Sequence, residues 1–147
     1  MSCLDDYREV VPKGTIDFLK CLAEQVKGKK ILHINSTKLG GGVAEMLRSD
    51  VLLLQDIGIE AQWQIISGTE EFFIVTKSFH NALQGQDQHL SQQMLEAYLE
   101  VNRENAKRLS FDAHYVVIHD PQPAALIENR PNQGKWVWRC HIDISRP

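Results

Sequence analysis

The chain has 147 residues, 43% of them apolar, which is enough for one domain with a real core. Its formal net charge of -3 comes with lysines and arginines scattered along the chain, so nothing points to a nucleic-acid or membrane surface. Three widely spaced cysteines predict neither a disulfide framework nor a zinc site. The start of the chain does not resemble a secretory signal, and no run approaches the ~18 apolar residues of a membrane span. We therefore expect a cytoplasmic protein.

The first predicted unit is an arm at residues 1–13, packed on the surface of a domain at residues 14–147. A helix is predicted to begin with Thr15 as its N-cap and to stop at Gly28. Its apolar residues fall on one stripe, which is typical of a helix that covers a sheet. The stripe consists of Ile16, Leu19, Leu22, Ala23 and Val26.

A buried strand at residues 30–35 is predicted to lead into a glycine turn, with a helix opening on Gly42. Three successive glycines let the backbone approach a ligand, and the free amides of the helix start favour a phosphate or hydroxyl-rich group. The alternative is a turn that merely packs the helix on the strand. His33, inside the strand, is expected to be a hydrogen-bonded core residue without a functional role.

The later elements keep alternating between strands and helices. Strands are predicted at residues 61–66, 114–118 and 136–140, a helix capped by Ser91 between the first two, and a short helix after Pro123. Another helix is predicted with Glu70 and Glu71 as acids in its first turn and with Phe72, Val75, Phe79 and Leu83 on its inner side. The stripe of the Ser91 helix includes Leu95, Tyr98, Ala106, Leu109 and Asn102, the last being either a buried amide or a residue facing a cleft. The pattern predicts an α/β fold with a Rossmann-like, mainly parallel sheet and helices on both faces.

Polar side chains follow the predicted strands at their carboxyl ends, where open parallel sheets bind ligands. His119 and Asp120 follow one strand, and Arg139, His141 and Asp143 end the last. A carboxylate beside an imidazole can hold sugar hydroxyls, because the first accepts hydrogen bonds and the second both accepts and donates. Two alternatives stay open: a metal site, although no third ligand has the expected spacing, and an aspartate that only caps the turn at Pro121. The glycines match neither a dinucleotide fingerprint nor a phosphate loop.

Five ordered motifs make a family resemblance specific. They are LDDYR at residues 4–8, HINSTKLGGGVAE at 33–45, EEFFIVTKSFHN at 70–81, HDPQP at 119–123 and WRCHID at 138–143. Together they resemble the N-terminal part of the trehalose synthase (glycosyltransferring) and trehalose phosphorylase group. These are retaining glycosyltransferases of family four with a two-domain GT-B fold, so the resemblance implies an incomplete GT-B N-terminal domain.

The resemblance also implies a role for each matching residue. In such enzymes a nucleoside diphosphate glucose binds mainly to the C-terminal domain, and the N-terminal domain supplies the acceptor pocket and part of the donor cradle. His141 would be the catalytic residue, touching the donor glucose near its 6-hydroxyl and its reacting carbon. No metal and no cofactor beyond the donor sugar is implied. The substrate-binding residues would be Gly41 and Gly42 at the donor phosphates or acceptor, His119 and Asp120 at the acceptor glucose, Arg139 and Asp143 supporting His141, and His80 and Asn81 on the acceptor side.

The implied parent reaction is the formation of trehalose from NDP-glucose and glucose. The chain stops before the implied nucleotide-sugar domain, so we expect these residues alone to be inactive. The alternatives are the phosphorylase direction, in which trehalose and phosphate give glucose 1-phosphate, and a non-catalytic sugar-binding or assembly module. A sheet cut short would expose an edge and an apolar face, so we also expect a homo-oligomer or pairing with a missing C-terminal part.

Overall fold

Four parallel strands form the centre of the computed structural model, which describes residues 3–145. They are β1 (Lys30–Asn35), β2 (Glu60–Ile65), β3 (Tyr115–His119) and β4 (Lys135–Arg139), and they lie in the order β2-β1-β3-β4. Helices flank this sheet, so the predicted α/β class is confirmed. β1 has the predicted bounds, while the other three strands are shifted by one residue at each end.

The helices are α1 (Thr15–Gln25), α2 (Gly42–Asp56), α3 (Glu70–Leu83) and α4 (Gln92–Ala106). Short 3₁₀ helices cover Leu4–Tyr7 and Ala124–Asn129. Two predicted helix starts are confirmed: α2 opens on the third glycine, and the Ser91 hydroxyl caps α4 by accepting the Met94 N–H at 3.2 Å.

The predicted capping role of Thr15 is wrong. Thr15 is the first helical residue, and the N-cap is Gly14, which has φ 88° and offers no side chain. The reason is a turn in which the Thr15 N–H donates to the Pro12 carbonyl at 3.1 Å, which brings the threonine into the first helical position. The predicted stripe of α1 is only partly buried: Ile16 and Ala23 are covered, whereas Leu19 and Leu22 are 38% and 41% exposed.

The core lies between one sheet face and the helices α3 and α4. Alternate residues of a strand point to opposite faces, so Leu32 and Ile34 of β1 share this face with Val116 and Ile118 of β3. They pack against buried residues of the covering elements, namely Phe72, Val75, Tyr98 and Leu126. Phe72 and Val75 were predicted to lie on the inner side of α3, and both are buried.

The strand order reverses at β1. The chain goes from β1 to its neighbour β2 on one side and later returns to β3 on the other side. Turns that leave two such strands diverge, which opens a crevice at their carboxyl ends. The glycine turn follows β1 and the His119-Asp120 pair ends β3, so both flank this crevice.

No helix within residues 3–145 is long and apolar enough to cross a membrane. One edge of the sheet is formed by β4, whose outer side pairs with no strand in the part of the chain that the structure describes. Val137 and Trp138 of this strand are each 49% exposed. An exposed apolar edge strand is a template for pairing with another chain.

We therefore expect the 147-residue chain to associate through β4. Replacing Val137 with lysine should shift the chain toward a monomer, because a charge opposes pairing at an edge. The control is Leu52→Lys, which removes a similarly exposed leucine from α2 and should leave association unchanged. Size-exclusion chromatography with light scattering measures both. A stable monomer for the unmodified chain over a wide concentration range would contradict the expectation.

Candidate functional site

The crevice between the ends of β1 and β3 is a pocket of about 240 Å³. This is smaller than the roughly 300–1,000 Å³ of typical small-molecule sites. A larger cleft of about 400 Å³ lies at the amino ends of the strands, away from the glycine turn. The pocket is lined by Asn35, Ser36, Thr37, Gly40, Gly41, Gly42, Val43, Ala44, His119, Asp120 and Gln122.

The glycine turn forms one wall of this pocket. Gly41 has φ 82° and ψ 149°, a conformation that is essentially restricted to glycine, and it is the N-cap of α2. Since glycine has no capping side chain, the first amides of α2 stay available to a ligand. Asn35 shapes the start of the turn: its side-chain amide donates to the Thr37 carbonyl at 2.8 Å, and its oxygen accepts from the Trp63 indole at 2.8 Å.

Asp120 faces the glycines across the pocket in a left-handed conformation, with φ 63°. Such a backbone costs about 1–3 kcal/mol outside glycine and persists where its surroundings enforce it. Three hydrogen bonds from the last strand region do so. The Asp120 N–H donates to the Arg139 carbonyl at 3.0 Å, its carbonyl accepts the Trp138 indole N–H at 2.9 Å, and its Oδ1 accepts the His141 N–H at 2.7 Å. The carboxylate therefore bridges to the chain beyond β4, which is more than capping the turn at Pro121.

Helix α4 holds the backbone that follows Asp120. The buried Tyr98 hydroxyl donates to the Pro121 carbonyl at 2.8 Å and accepts the Ala125 N–H at 3.0 Å. Burial raises the pKa of Tyr98 to about 12, so the phenol keeps its proton at neutral pH. Asn102, fully buried, donates to the Gln122 carbonyl at 3.1 Å. Of its two predicted placements, the structure has the buried amide.

Three histidines form a hydrogen-bonded chain beneath the pocket. His33 Nδ1 lies 3.0 Å from His119 Nε2, and His119 Nδ1 lies 2.9 Å from His141 Nε2. His33 is buried and hydrogen-bonded, as predicted, but its link to the two site histidines was missed. The sequence held part of this information. His33 pairs with Val117, two residues before His119, so the two histidine side chains point to the same face of the sheet.

The central histidine is neutral at ordinary pH. His119 is 1% exposed. Burial lowers its pKa to about 3, with smaller contributions from the charges of His33, His141 and Arg139. Burial likewise lowers the pKa of His33. Since both ring nitrogens of His119 face other histidines, neither is directed at a ligand or metal ion.

The structure brings together some of the predicted site residues and leaves others apart. Gly41, Gly42, His119 and Asp120 line the pocket. His141 is not a lining residue, but it is hydrogen-bonded to His119 and Asp120. Arg139 contributes its backbone carbonyl to Asp120.

The remaining predicted residues lie elsewhere. The Asp143 carboxylate accepts the Ser145 N–H at 3.0 Å, a bond that lowers the pKa of Asp143. His80 and Asn81 belong to the last turns of α3, and neither is among the residues within 3–145 that line the pocket. Within residues 3–145, no group of three or more His, Cys, Asp or Glu side chains is arranged to hold a metal ion.

Comparison with known proteins adds to this geometry. The family model described as the N-terminal domain of trehalose synthase matches residues 33–147. The trehalose synthase of Thermococcus litoralis is 51% identical over 148 residues, which cover 98% of this chain and 35% of that protein. The trehalose synthase of Rubrobacter xylanophilus is 45% identical over 99% of this chain and 36% of its own length. The trehalose phosphorylase of Pleurotus pulmonarius is 31% identical over 96% of this chain and 21% of its own length. The chain thus spans about a third of the length of the synthases it matches.

The glycine turn gives a matched pair of variants. We expect Gly41→Ala to reduce the free energy of unfolding by about 1–3 kcal/mol, because alanine cannot adopt the backbone angles of Gly41 without strain. Gly42→Ala should change it by less than about 0.5 kcal/mol, because Gly42 is helical and an added Cβ meets nothing within 4 Å. Urea denaturation measures both. Equal effects would contradict the backbone argument, since the space around an added Cβ is open at both glycines.

The buried histidines predict loss of stability in mild acid. In the unfolded chain His33 and His119 bind protons near pH 6.5. In the folded chain their lowered pKa values keep these two imidazoles neutral at that pH. The free energy of unfolding should therefore fall as the pH drops below about 6.5, with His119 contributing a slope that approaches about 1.4 kcal/mol per pH unit and His33 adding to it. Urea titrations between pH 7.5 and 5 measure the slope, and His33→Asn should make it shallower because one buried imidazole is removed. A flat profile in this window would contradict the prediction.

Proposed function

The chain belongs to the family of trehalose synthase N-terminal domains, and on that basis we propose that it is the acceptor-side domain of a retaining, GT-B-type glycosyltransferase. The parent reaction would join glucose from NDP-glucose to a second glucose, giving trehalose. The observation that carries the proposal is that Gly41 and Asp120 line one strand-end crevice and that His141 is hydrogen-bonded to Asp120. Higher identity to the synthases than to the phosphorylase supports the synthase direction.

Asp120 would hold a hydroxyl of the acceptor glucose. Its Oδ1 is occupied by the His141 N–H, which leaves Oδ2 to accept hydrogen bonds from a sugar. A carboxylate makes stronger hydrogen bonds to hydroxyls than a neutral group does. Because one hydrogen bond holds the Asp120 carboxylate and two hold its backbone, binding spends little free energy on ordering this residue. The enforced left-handed backbone is a further sign of a residue placed for binding.

The glycine turn would cradle the donor phosphates or the acceptor sugar. Gly40, Gly41 and Gly42 place no Cβ in the pocket, so a ligand can approach the backbone closely. The start of the 15-residue α2 provides free amides and the positive end of the helix dipole. Both features favour an anionic or hydroxyl-rich group at the same wall of the crevice.

His141 would contact the donor glucose. Its backbone N–H and ring Nε2 are held by Asp120 and His119, so the imidazole is anchored at the edge of the pocket. Its other ring nitrogen, Nδ1, makes no hydrogen bond within the described residues 3–145 and is free to meet a sugar oxygen. Arg139 and Asp143 would support this part of the chain, and His80 and Asn81 would act on the acceptor side.

Two other functions remain candidates. Similarity to trehalose phosphorylases supports the use of phosphate and trehalose, with glucose 1-phosphate as product. The small volume of the pocket supports a non-catalytic sugar-binding or assembly module. Incubation with UDP- or ADP-glucose and glucose tests the first activity, and trehalose with phosphate tests the second. We expect no turnover from the 147-residue chain alone, and trehalose formed by it would contradict that.

Sugar binding tests the site itself. Titration of the ¹⁵N-labelled chain with glucose, trehalose and UDP-glucose should shift the amide resonances of the glycine turn, Asp120 and His141. Asp120→Asn keeps an oxygen for the His141 N–H and tolerates a left-handed backbone, but it removes the charge. We expect it to weaken glucose binding about tenfold, the equivalent of one charge-assisted hydrogen bond.

The control is Asp87→Asn, in the exposed loop between α3 and α4, which should leave binding unchanged. Equal affinities for the unmodified chain and the Asp120 variant would rule out a direct contact between this carboxylate and the sugar. Resonance shifts confined to the cleft at the amino ends of the strands would refute the assignment of the sugar site to the pocket.

A further inference from the structure

The three-histidine chain has only two hydrogen-bonding arrangements while all three rings are neutral. A neutral imidazole carries one N–H, so each ring donates through one nitrogen and accepts through the other. In the first arrangement His33 Nδ1–H donates to His119 Nε2, and His119 Nδ1–H donates to His141 Nε2. In the second, both hydrogen bonds run the opposite way and every ring carries its proton on Nε2. The distances of 3.0 and 2.9 Å suit either arrangement.

The environment of His33, at the buried end of the three-histidine chain, distinguishes the two arrangements. His33 Nε2 is buried and has no hydrogen-bond partner within residues 3–145. In the second arrangement this nitrogen would carry a proton, leaving an N–H buried without an acceptor. In the first arrangement it carries only a lone pair. Buried N–H groups without partners are rarer in proteins than acceptors without partners, so the first arrangement is favoured.

We propose that His33 is a positioning residue that fixes the direction of hydrogen bonding through His119 to His141, so that His141 carries its proton on Nδ1 and presents a donor at the edge of the pocket. His33 is 8% exposed and is not among the described residues that line the pocket. It would act only through His119. The lowered pKa of His119 keeps the middle ring neutral, as this arrangement requires.

This inference rests on the proposed function for its consequence. A Nδ1–H donor on His141 would select a sugar oxygen, such as a hydroxyl oxygen, as its partner on the donor glucose. Free histidine in water favours the opposite tautomer, with the proton on Nε2. A His141 that depended on solvent alone would thus offer an acceptor at Nδ1. The histidine chain instead imposes the donor before any ligand arrives, which lowers the cost of binding.

The tautomers can be measured directly on the 147-residue chain without sugar. Long-range ¹H–¹⁵N correlation spectra of histidine-labelled protein at pH 7.5 distinguish a protonated ring nitrogen from a bare one. We expect protons on Nδ1 of His33, His119 and His141. Protons on Nε2 of these three rings would overturn the proposal, whether or not the chain binds glucose. If the unmodified chain has the expected tautomers but does not bind glucose, that result counts against the proposed function alone.

Two matched substitutions at residue 33 test which residue sets the direction. In His33→Asn the side-chain amide can present either its N–H or its oxygen to His119, so this variant is the matched control that keeps a donor available. In His33→Asp the carboxylate can only accept, so His119 Nε2 should become protonated. Because Asn and Asp have nearly the same shape, a difference in tautomer between the two variants cannot be explained by a change of fold alone. An unprotonated His119 Nε2 in a folded Asp variant would overturn the role of His33. Should the Asp variant fail to fold, the tautomers of the unmodified chain decide the question.

Discussion

The pairing of β1 with both β2 and β3 is the constraint on which the site depends. Because β1 sends the chain to one side and receives β3 on the other, the turns after β1 and β3 diverge and leave a crevice. The glycine turn and Asp120 reach the same pocket for this reason, although 78 residues of sequence separate Gly42 from Asp120. The chemistry of the site follows from this placement.

Each wall of the crevice is held by a different part of the fold. The glycine wall depends on local backbone, with Asn35 and Trp63 supporting its start. The Asp120 wall depends on distant partners: α4 holds the following backbone through Tyr98, and the segment at Trp138 to His141 holds the aspartate itself. A strained residue secured in this way is preorganised, so a ligand need not meet the cost of ordering it.

The buried histidines show how polar groups are accommodated beside an apolar core. The face of the sheet that packs on α3 and α4 is apolar, whereas the opposite face carries His33 and His119 near its carboxyl edge. Burial keeps these imidazoles neutral, and hydrogen bonding between rings replaces hydration for every ring nitrogen except one. The remaining nitrogen, His33 Nε2, sets the direction of the hydrogen bonds in the three-histidine chain. These hydrogen bonds connect the interior of the domain to His141 beside the pocket.

Local pattern and glycine chemistry in the sequence were enough to predict the bounds of β1, the start of α2, the Ser91 cap and the strand ends that carry the polar residues. These features depend on neighbouring residues along the chain, so they are visible without coordinates. The tertiary structure alone decided that His33 joins His119 and His141 and that Asn102 is buried. It also decided that His80 and Asn81 do not line the described pocket. The reason is physical: contacts across strands depend on strand order and on which face each residue occupies, and neither is encoded in local periodicity.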